Sequence, residues 1–188
     1  MAYSYSDLTT DIRNYTEVDS NVFTAAIING FLRNAEHRIN LDCPMDSDRI
    51  QSEAQFATDF NSITMPTGLL FVRGIEVYDS TTATTGEGVW LERRDQTFIS
   101  EYVGELTGTE GGSAGQDTTG LPKYYSMFGA IYVAPTPDAN YKYIIHYNAM
   151  PTGLETNTGG TYVSNYFPQG LLYACLVEAY GFLKGPTD

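Results

Sequence analysis

The sequence is short of several things that mark well-defined classes of protein. Lys and Arg number 10 against 23 Asp and Glu, a formal net charge of −13 over 188 residues. An electrostatic grip on nucleic acid needs the opposite sign. Arg93-Arg94 and the Arg33/Arg38 pair are isolated and form no basic patch. The acidity favours solubility, and an acidic protein can also surround DNA without sticking to it. Cysteine is limited to Cys43 and Cys175. A bridge between them stays open in principle, but no secreted disulfide framework is expected. No run approaches ~18 apolar residues, so no membrane span is expected. Met1 to Ser6 is polar and aromatic, so no signal peptide is expected either. Trp occurs once.

What the chain has instead is tyrosine: 15 Tyr and 9 Phe in a composition that is 42% apolar. Tyr joins apolar area to a hydroxyl and suits half-wet surfaces and interfaces. It also suits β-strands for reasons unrelated to partners. The length is enough for one domain with a proper core, or for two small lobes.

The strongest periodicity lies at the two ends. Near the C-terminus, over residues 167–185, Leu172, Leu176, Ala179 and Leu183 recur at spacings of four, three and four, with Tyr173, Val177, Tyr180 and Lys184 in a row beside them. This is a wide apolar stripe at helical period. Pro168 suits the first helical position, Asn165 lies close enough to cap it, and Gly185-Pro186 stops it. Cys175 falls inside this pattern, where a free buried thiol is the usual state. An apolar helix this short needs a partner. Residues 21–41 supply one: Phe23, Ile27, Phe31, Ala35 and Ile39 form an i, i+4 row, with Ile28 and Leu32 alongside and Arg33, Glu36, His37 and Arg38 mostly off it. Asp19, Ser20 and Asn21 each suit its N-cap. A shorter helix over residues 6–15 puts Leu8, Ile12 and Tyr15 on one face. The expected architecture is α+β: a helical bundle from residues 1–50 and 161–188, with a β lobe inserted over residues 51–160.

Ahead of the insertion, Asp42, Pro44, Asp46, Ser47 and Asp48 make a turn-rich segment; within it, residues 55–64 hold one or two short strands. Residues 69–78 are the clearest strand, with Gly74 a candidate bulge. Residues 88–93 return against it. Asp95 is placed to cap a turn or two of helix with Phe98, Ile99 and Tyr102 inward. Residues 104–120 form a long Gly/Thr/Ser loop, a length usually tied to function or mobility. A three-stranded antiparallel meander follows over residues 123–128, 131–134 and 141–147.

Candidate chemistry is thin. Gly111-Gly112-Ser113-Ala114-Gly115 matches G-x-S-x-G, with Asp117 or Asp138 and then His146 in hydrolase order. A nucleophile elbow needs a strand before the Ser and a helix after it, and both flanks here are Gly, Thr, Asp and Gln. A flexible loop is the better reading. Asp42, Asp46, Asp48 and Glu53 lack the tight spacing and central Gly of a calcium loop. His37 and His146 have no neighbours at metal-ligand spacing. Gly86-Glu87-Gly88 lacks the Lys and following helix of a phosphate loop. No catalytic residue, metal or cofactor is expected.

A resemblance enters at Leu121-Pro122-Lys123-Tyr124-Tyr125. It continues through Phe128-Gly129, Ala134-Pro135-Thr136-Pro137-Asp138, Tyr141 and Tyr147, then Pro168, Leu171-Leu172-Tyr173-Ala174 and residues 176–185. At the front, Ala35-Glu36-x-Arg38-Ile39 agrees. With these features the chain resembles the head-to-tail adaptor (connector, or neck) proteins of tailed bacteriophages, of the podovirus-like kind. The resemblance implies a structural virion protein and no enzyme. It implies a homo-oligomeric ring, usually of twelve copies, in the neck between the portal protein and the tail or nozzle protein. DNA would pass through the channel without specific binding. Assembly would take place in the host cytoplasm, with no membrane involved. Family members run on past the last helix, so the C-terminal arm is expected to be short or absent here. The loop at residues 104–120 is longer than the family leads one to expect, and Gly111, Gly112, Ser113 and Gly115 are its candidate interface residues. The competing reading is a monomeric binding module whose β lobe recognises a host-surface sugar or peptide through exposed Tyr. The third is an enzyme on Ser113.

Overall fold

The first helix, α1 (Tyr5–Thr16), begins where Ser4 and Asp7 cap each other's backbone N–H groups at 3.2 and 3.1 Å, and it ends at Glu17 in the left-handed conformation. This is a reciprocal capping box, which satisfies two amide donors that a helix start leaves without partners. The computed structural model describes residues 3–84, 87–103 and 118–184. Leu8 and Ile12 of α1 are fully buried, but Tyr15, expected on the same face, is 54% exposed.

The second helix, α2 (Ala25–Asp42), starts later than expected. Asp19 caps the turn before it, accepting from the Asn21 and Val22 amides at 2.9 and 3.3 Å. Arg13 then donates from Nη2 to the Phe23 carbonyl at 2.8 Å, tying that turn to α1. The i, i+4 row expected on α2 is also corrected. Phe23, Phe31 and Ala35 are buried, whereas Ile27 and Ile39 are half-buried at the margin of the core. At 3.6 residues per turn, a strict i, i+4 row drifts about 40° at each step and cannot stay on one face for five positions. The buried seam of α2 therefore runs through Ile28, Phe31, Leu32, Ala35 and Glu36.

Two helices close this unit: α4 (Tyr162–Tyr166), capped by Thr161 and Ser164, and α5 (Pro168–Lys184), with Pro168 at its first position. Asn165 lies within α4 and does not cap α5. Leu172, Leu176 and Ala179 are buried, together with Leu171 and Cys175. Leu183, expected in the core, is 41% exposed. It belongs to the last turn of α5, where Phe182, itself half-exposed, lays its ring edge-on to those of Phe23 and Phe31 at 6.1 and 5.7 Å. Gly185 and Pro186 lie outside the described residues.

The chain divides into two units, Met1–Asp48 with Met150–Asp188, and Arg49–Ala149. The second is built of two four-stranded sheets. One has the order β1-β8-β3-β4, from β1 (Arg49–Gln55), β3 (Leu69–Tyr78), β4 (Gly88–Trp90) and β8 (Lys142–Ala149). The other has the order β2-β7-β6-β5, from β2 (Ser62–Ile63), β5 (Glu92–Arg93), β6 (Tyr124–Phe128) and β7 (Ala130–Ala134). The expected α+β class holds, with two corrections in the lobe. Its strand pairs are antiparallel except β5 with β6, which is parallel. The expected meander also breaks after its second strand. Both edges of β7 are taken by β2 and β6, so β8 leaves that sheet and pairs with β1 and β3.

The return expected over residues 88–93 likewise splits at Leu91. Its buried side chain marks the crossing: its amide donates to Ile75 in the first sheet, and the Glu92 amide donates to Lys123 beside the second. Side chains from the two sheets, among them Phe56, Ile75, Val77, Ile131, Val133 and Ile145, form one core. Each such side chain contributes about 1.5–3 kcal/mol by leaving water. Asp95 accepts from the Thr97 amide at 3.0 Å at the start of α3 (Gln96–Val103), whose Ile99 is fully buried.

Candidate interaction faces

The row beside the α5 stripe is where the helical unit departs from ordinary economy. Tyr173, Val177 and Tyr180, which helical spacing groups with the apolar stripe, are 56%, 62% and 46% exposed. The reason is geometric. α1, α2 and α4 pack against α5, and Leu171, Cys175 and Ala179 take the fully buried positions. The outer row is left facing solvent although it is apolar. Tyr15 of α1 borders it, and Tyr180 donates its hydroxyl to the Tyr15 carbonyl at 3.0 Å. The resulting groove measures about 560 Å³ and includes Leu176 and Lys184 in its lining. More aromatic surface lies at the start of α5. Phe167 and Tyr166 are exposed, Tyr162 and Tyr166 have ring centroids 4.7 Å apart, and Phe167 lies flat over Gly170, where a Cβ would collide with its ring. Exposed apolar surface on this scale is more than singly scattered residues would give.

The same unit holds a buried carboxylate that periodicity assigned to the wet side. Glu36 accepts from the Leu154 amide at 3.0 Å. Gly153 leaves the space for it, since a Cβ there would come within 2.8 Å of Oε2. Burial raises its pKa. The nearby Cys175 thiol is pushed up to about 12 by burial, with Glu36 adding to the effect. Both cysteines are free. Only the i+1 neighbour relation of Ala35 and Glu36 hinted at this, because a seam as wide as that of α2 takes in both positions.

Of the residues singled out for hydrolase chemistry, only Asp138 and His146 fall among the described residues, and they have different partners. Gly111, Gly112, Ser113, Gly115 and Asp117 lie outside the described residues. Asp138 accepts from the Tyr141 hydroxyl at 2.7 Å, whereas His146 has Nε2 3.6 Å from Glu76 and its ring 4.8 Å from that of Trp90. Among the described residues no group of three or more His, Cys, Asp or Glu is placed to hold a metal ion. No helix among them is long and apolar enough to cross a membrane.

No curated protein matches the chain. A family match nevertheless runs from residue 3 to residue 187. It agrees with the adaptor-like pieces of the sequence and with a molecule that leaves apolar faces exposed: the chain belongs to the SU10 adaptor protein family, a family of phage structural proteins.

Proposed function

We propose that this adaptor forms a ring in the virion neck, of the podovirus-like kind and of twelve copies, that joins the portal protein to the tail or nozzle protein and leaves a channel for DNA. The observation that carries the reading is the exposed row of Tyr173, Val177 and Tyr180 beside Tyr15. An apolar helix face that the chain itself does not cover needs a protein neighbour, and repeated heterologous contacts close into a ring when the rotation between copies allows it. In this reading the unit of Met1–Asp48 with Met150–Asp188 makes the helical part of each subunit and Arg49–Ala149 the β lobe. The Gly-rich stretch containing Gly111, Gly112, Ser113 and Gly115 meets a neighbouring subunit or the tail. The net charge of −13 keeps the lumen acidic, so the DNA backbone is repelled and slides without being held.

The test is co-assembly with the portal, followed by size exclusion with light scattering. A purified subunit that stays monomeric until it meets the portal is compatible with the reading. The wild type is expected to enter a multi-copy complex. Val177→Glu is expected to stay out of it while keeping its monomer melting temperature. Failure of the wild type to join any multi-copy complex with the portal overturns the ring, and a positively charged lumen in the assembled particle overturns the sliding mechanism.

A further inference from the structure

Basic side chains are scarce in this chain, yet two arginines and the protein's one tryptophan border a single groove of the β unit. The groove, of about 470 Å³, is lined by Arg49, Gln51, Arg73, Trp90 and His146. Gln51, His146 and Gly74 are cross-strand neighbours, so they share the sheet face opposite the buried Ile75 and Ile145. The position of the indole is built in. It packs over Gly74, where a Cβ would come within 2.7 Å of the ring, and its centroid lies 4.8 Å from that of His146. His146 is in turn 3.6 Å from the Glu76 carboxylate. Trp90 nonetheless remains 57% exposed. Arg73 is oriented too: Nε donates to Asn148 Oδ1 at 2.6 Å, which leaves its two terminal amino groups to hold a carboxylate as a fork. An oriented guanidinium beside an exposed indole suits a carboxylate with an aromatic side chain next to it.

The chain carries that combination at the other end of the same sheet. Asp59 and Phe60 lie in the loop between β1 and β2, close to the start of β8: the Asp59 amide donates to the Pro137 carbonyl at 2.9 Å and the Thr58 amide to Asn140 Oδ1 at 2.8 Å. Asp59 is exposed in the left-handed conformation with φ 66°, and Phe60 is 43% exposed. Among the described residues the Asp59 carboxylate has no hydrogen bond or ion pair. The groove adjoins the far end of β8, at His146 and Asn148. With ~3.3 Å per strand residue the two features stand roughly 20 Å apart, too far to meet within one subunit.

We propose that Asp59 and Phe60 of one copy seat in the Arg73–Trp90 groove of the next. The contact is head-to-tail, the kind that propagates around a ring. It rests on the multi-copy reading above and adds to it the residues of a lateral joint. A nucleic acid fits less well. DNA brings one charge per ~1.7 Å of axis into a strongly acidic chain, whereas a single carboxylate meets mainly the charges within a Debye length of ~8 Å.

The experiment uses the full chain assembled with the portal. Arg73→Glu and Asp59→Arg are each expected to lower the yield of multi-copy complex by about tenfold or more, and the double variant to restore it, as close interfacial charge pairs do when swapped. Far-UV circular dichroism and melting temperature confirm folding, and Asp59→Asn, which keeps a residue tolerant of positive φ, serves if the reversal unfolds the loop. Because Trp90 is this chain's one tryptophan, its emission, with that of the portal alone subtracted, reports on this groove. A blue shift on assembly is expected in the wild type and its absence in Arg73→Glu. A photo-crosslinker replacing Phe60 is expected to label the peptide that contains Trp90. If the wild type fails to assemble, the ring reading fails. If it assembles and both single variants do so equally well, or the crosslinker labels only other peptides, the joint assigned here is wrong and the ring stands. Quenching of Trp90 by an oligonucleotide, relieved in Arg73→Glu, overturns the assignment in favour of a nucleic-acid site.

Discussion

The helical unit and the β unit hide their apolar side chains by different rules. In the helical unit one core gathers side chains from chain segments more than a hundred residues apart, such as Leu8 with Leu171 and Phe31 with Leu176. The helices are individually regular, and much of the exposed apolar surface lies along α5 and at its start. Among the described residues of the β unit no long apolar row is left outside. Each strand turns one face to the shared core, and the exposed apolar residues are scattered singly, Ile50, Phe60, Val89 and Trp90 among them. A helix with apolar residues on too much of its circumference leaves a continuous face, whereas a strand alternates and leaves isolated side chains. A broad face suits a large, forgiving contact; single anchored side chains suit a specific joint.

The comparison is broken or sharpened by four substitutions. The largest effect is expected from Phe31→Ala, which removes a buried ring that touches both Phe23 and Phe182. It should lower stability by about 3–5 kcal/mol in urea unfolding, and hydrogen exchange should show the loss in α1, α2 and α5. Equal loss of protection in β3 and β8 would mean that the two cores are not separate. Gly74→Val comes next. Its side chain must displace the Trp90 ring, at an expected cost of about 1–3 kcal/mol, with a changed tryptophan emission; an unchanged spectrum would contradict the seat described for the indole.

Glu36→Gln tests the buried carboxylate through pH. Its pKa in the folded protein is raised above the ordinary 4.5, mainly by burial. Between 4.5 and that higher value the folded protein holds a proton that the unfolded chain has released. Stability therefore falls as pH rises through this window and levels off above it. Gln keeps a carbonyl oxygen for the Leu154 amide and removes the titration. Unfolding curves from about pH 4.5 to 8 should slope down less in the variant, and identical slopes would show that Glu36 is not the group responsible. The smallest effect is expected from Leu183→Ala, within about 0.5 kcal/mol by thermal melting, because it lies in the last turn with 41% of its surface already exposed. A loss of several times that would mean the last turn of α5 is covered after all.

Local signals determined a good deal by themselves. The helices α1, α2 and α5, the strand β3, the cap at Asp95, the irregularity near Gly74 and the burial of Cys175 all follow from spacing and side-chain chemistry within a few residues. So does the pairing of the chain ends, because two apolar stripes with no nearby partner need each other. What local signals cannot carry is the choice among partners. β1 (RIQSEAQ) has few β-branched residues and is a strand because β8 pairs along it. β8 left the meander because both edges of β7 were already filled. Glu36 is buried because the Leu154 amide needs an acceptor there, and Tyr173, Val177 and Tyr180 are exposed because α1, α2 and α4 cover the other side of α5. Periodicity states which side chains share a face, but only tertiary packing decides which faces find a partner within the chain.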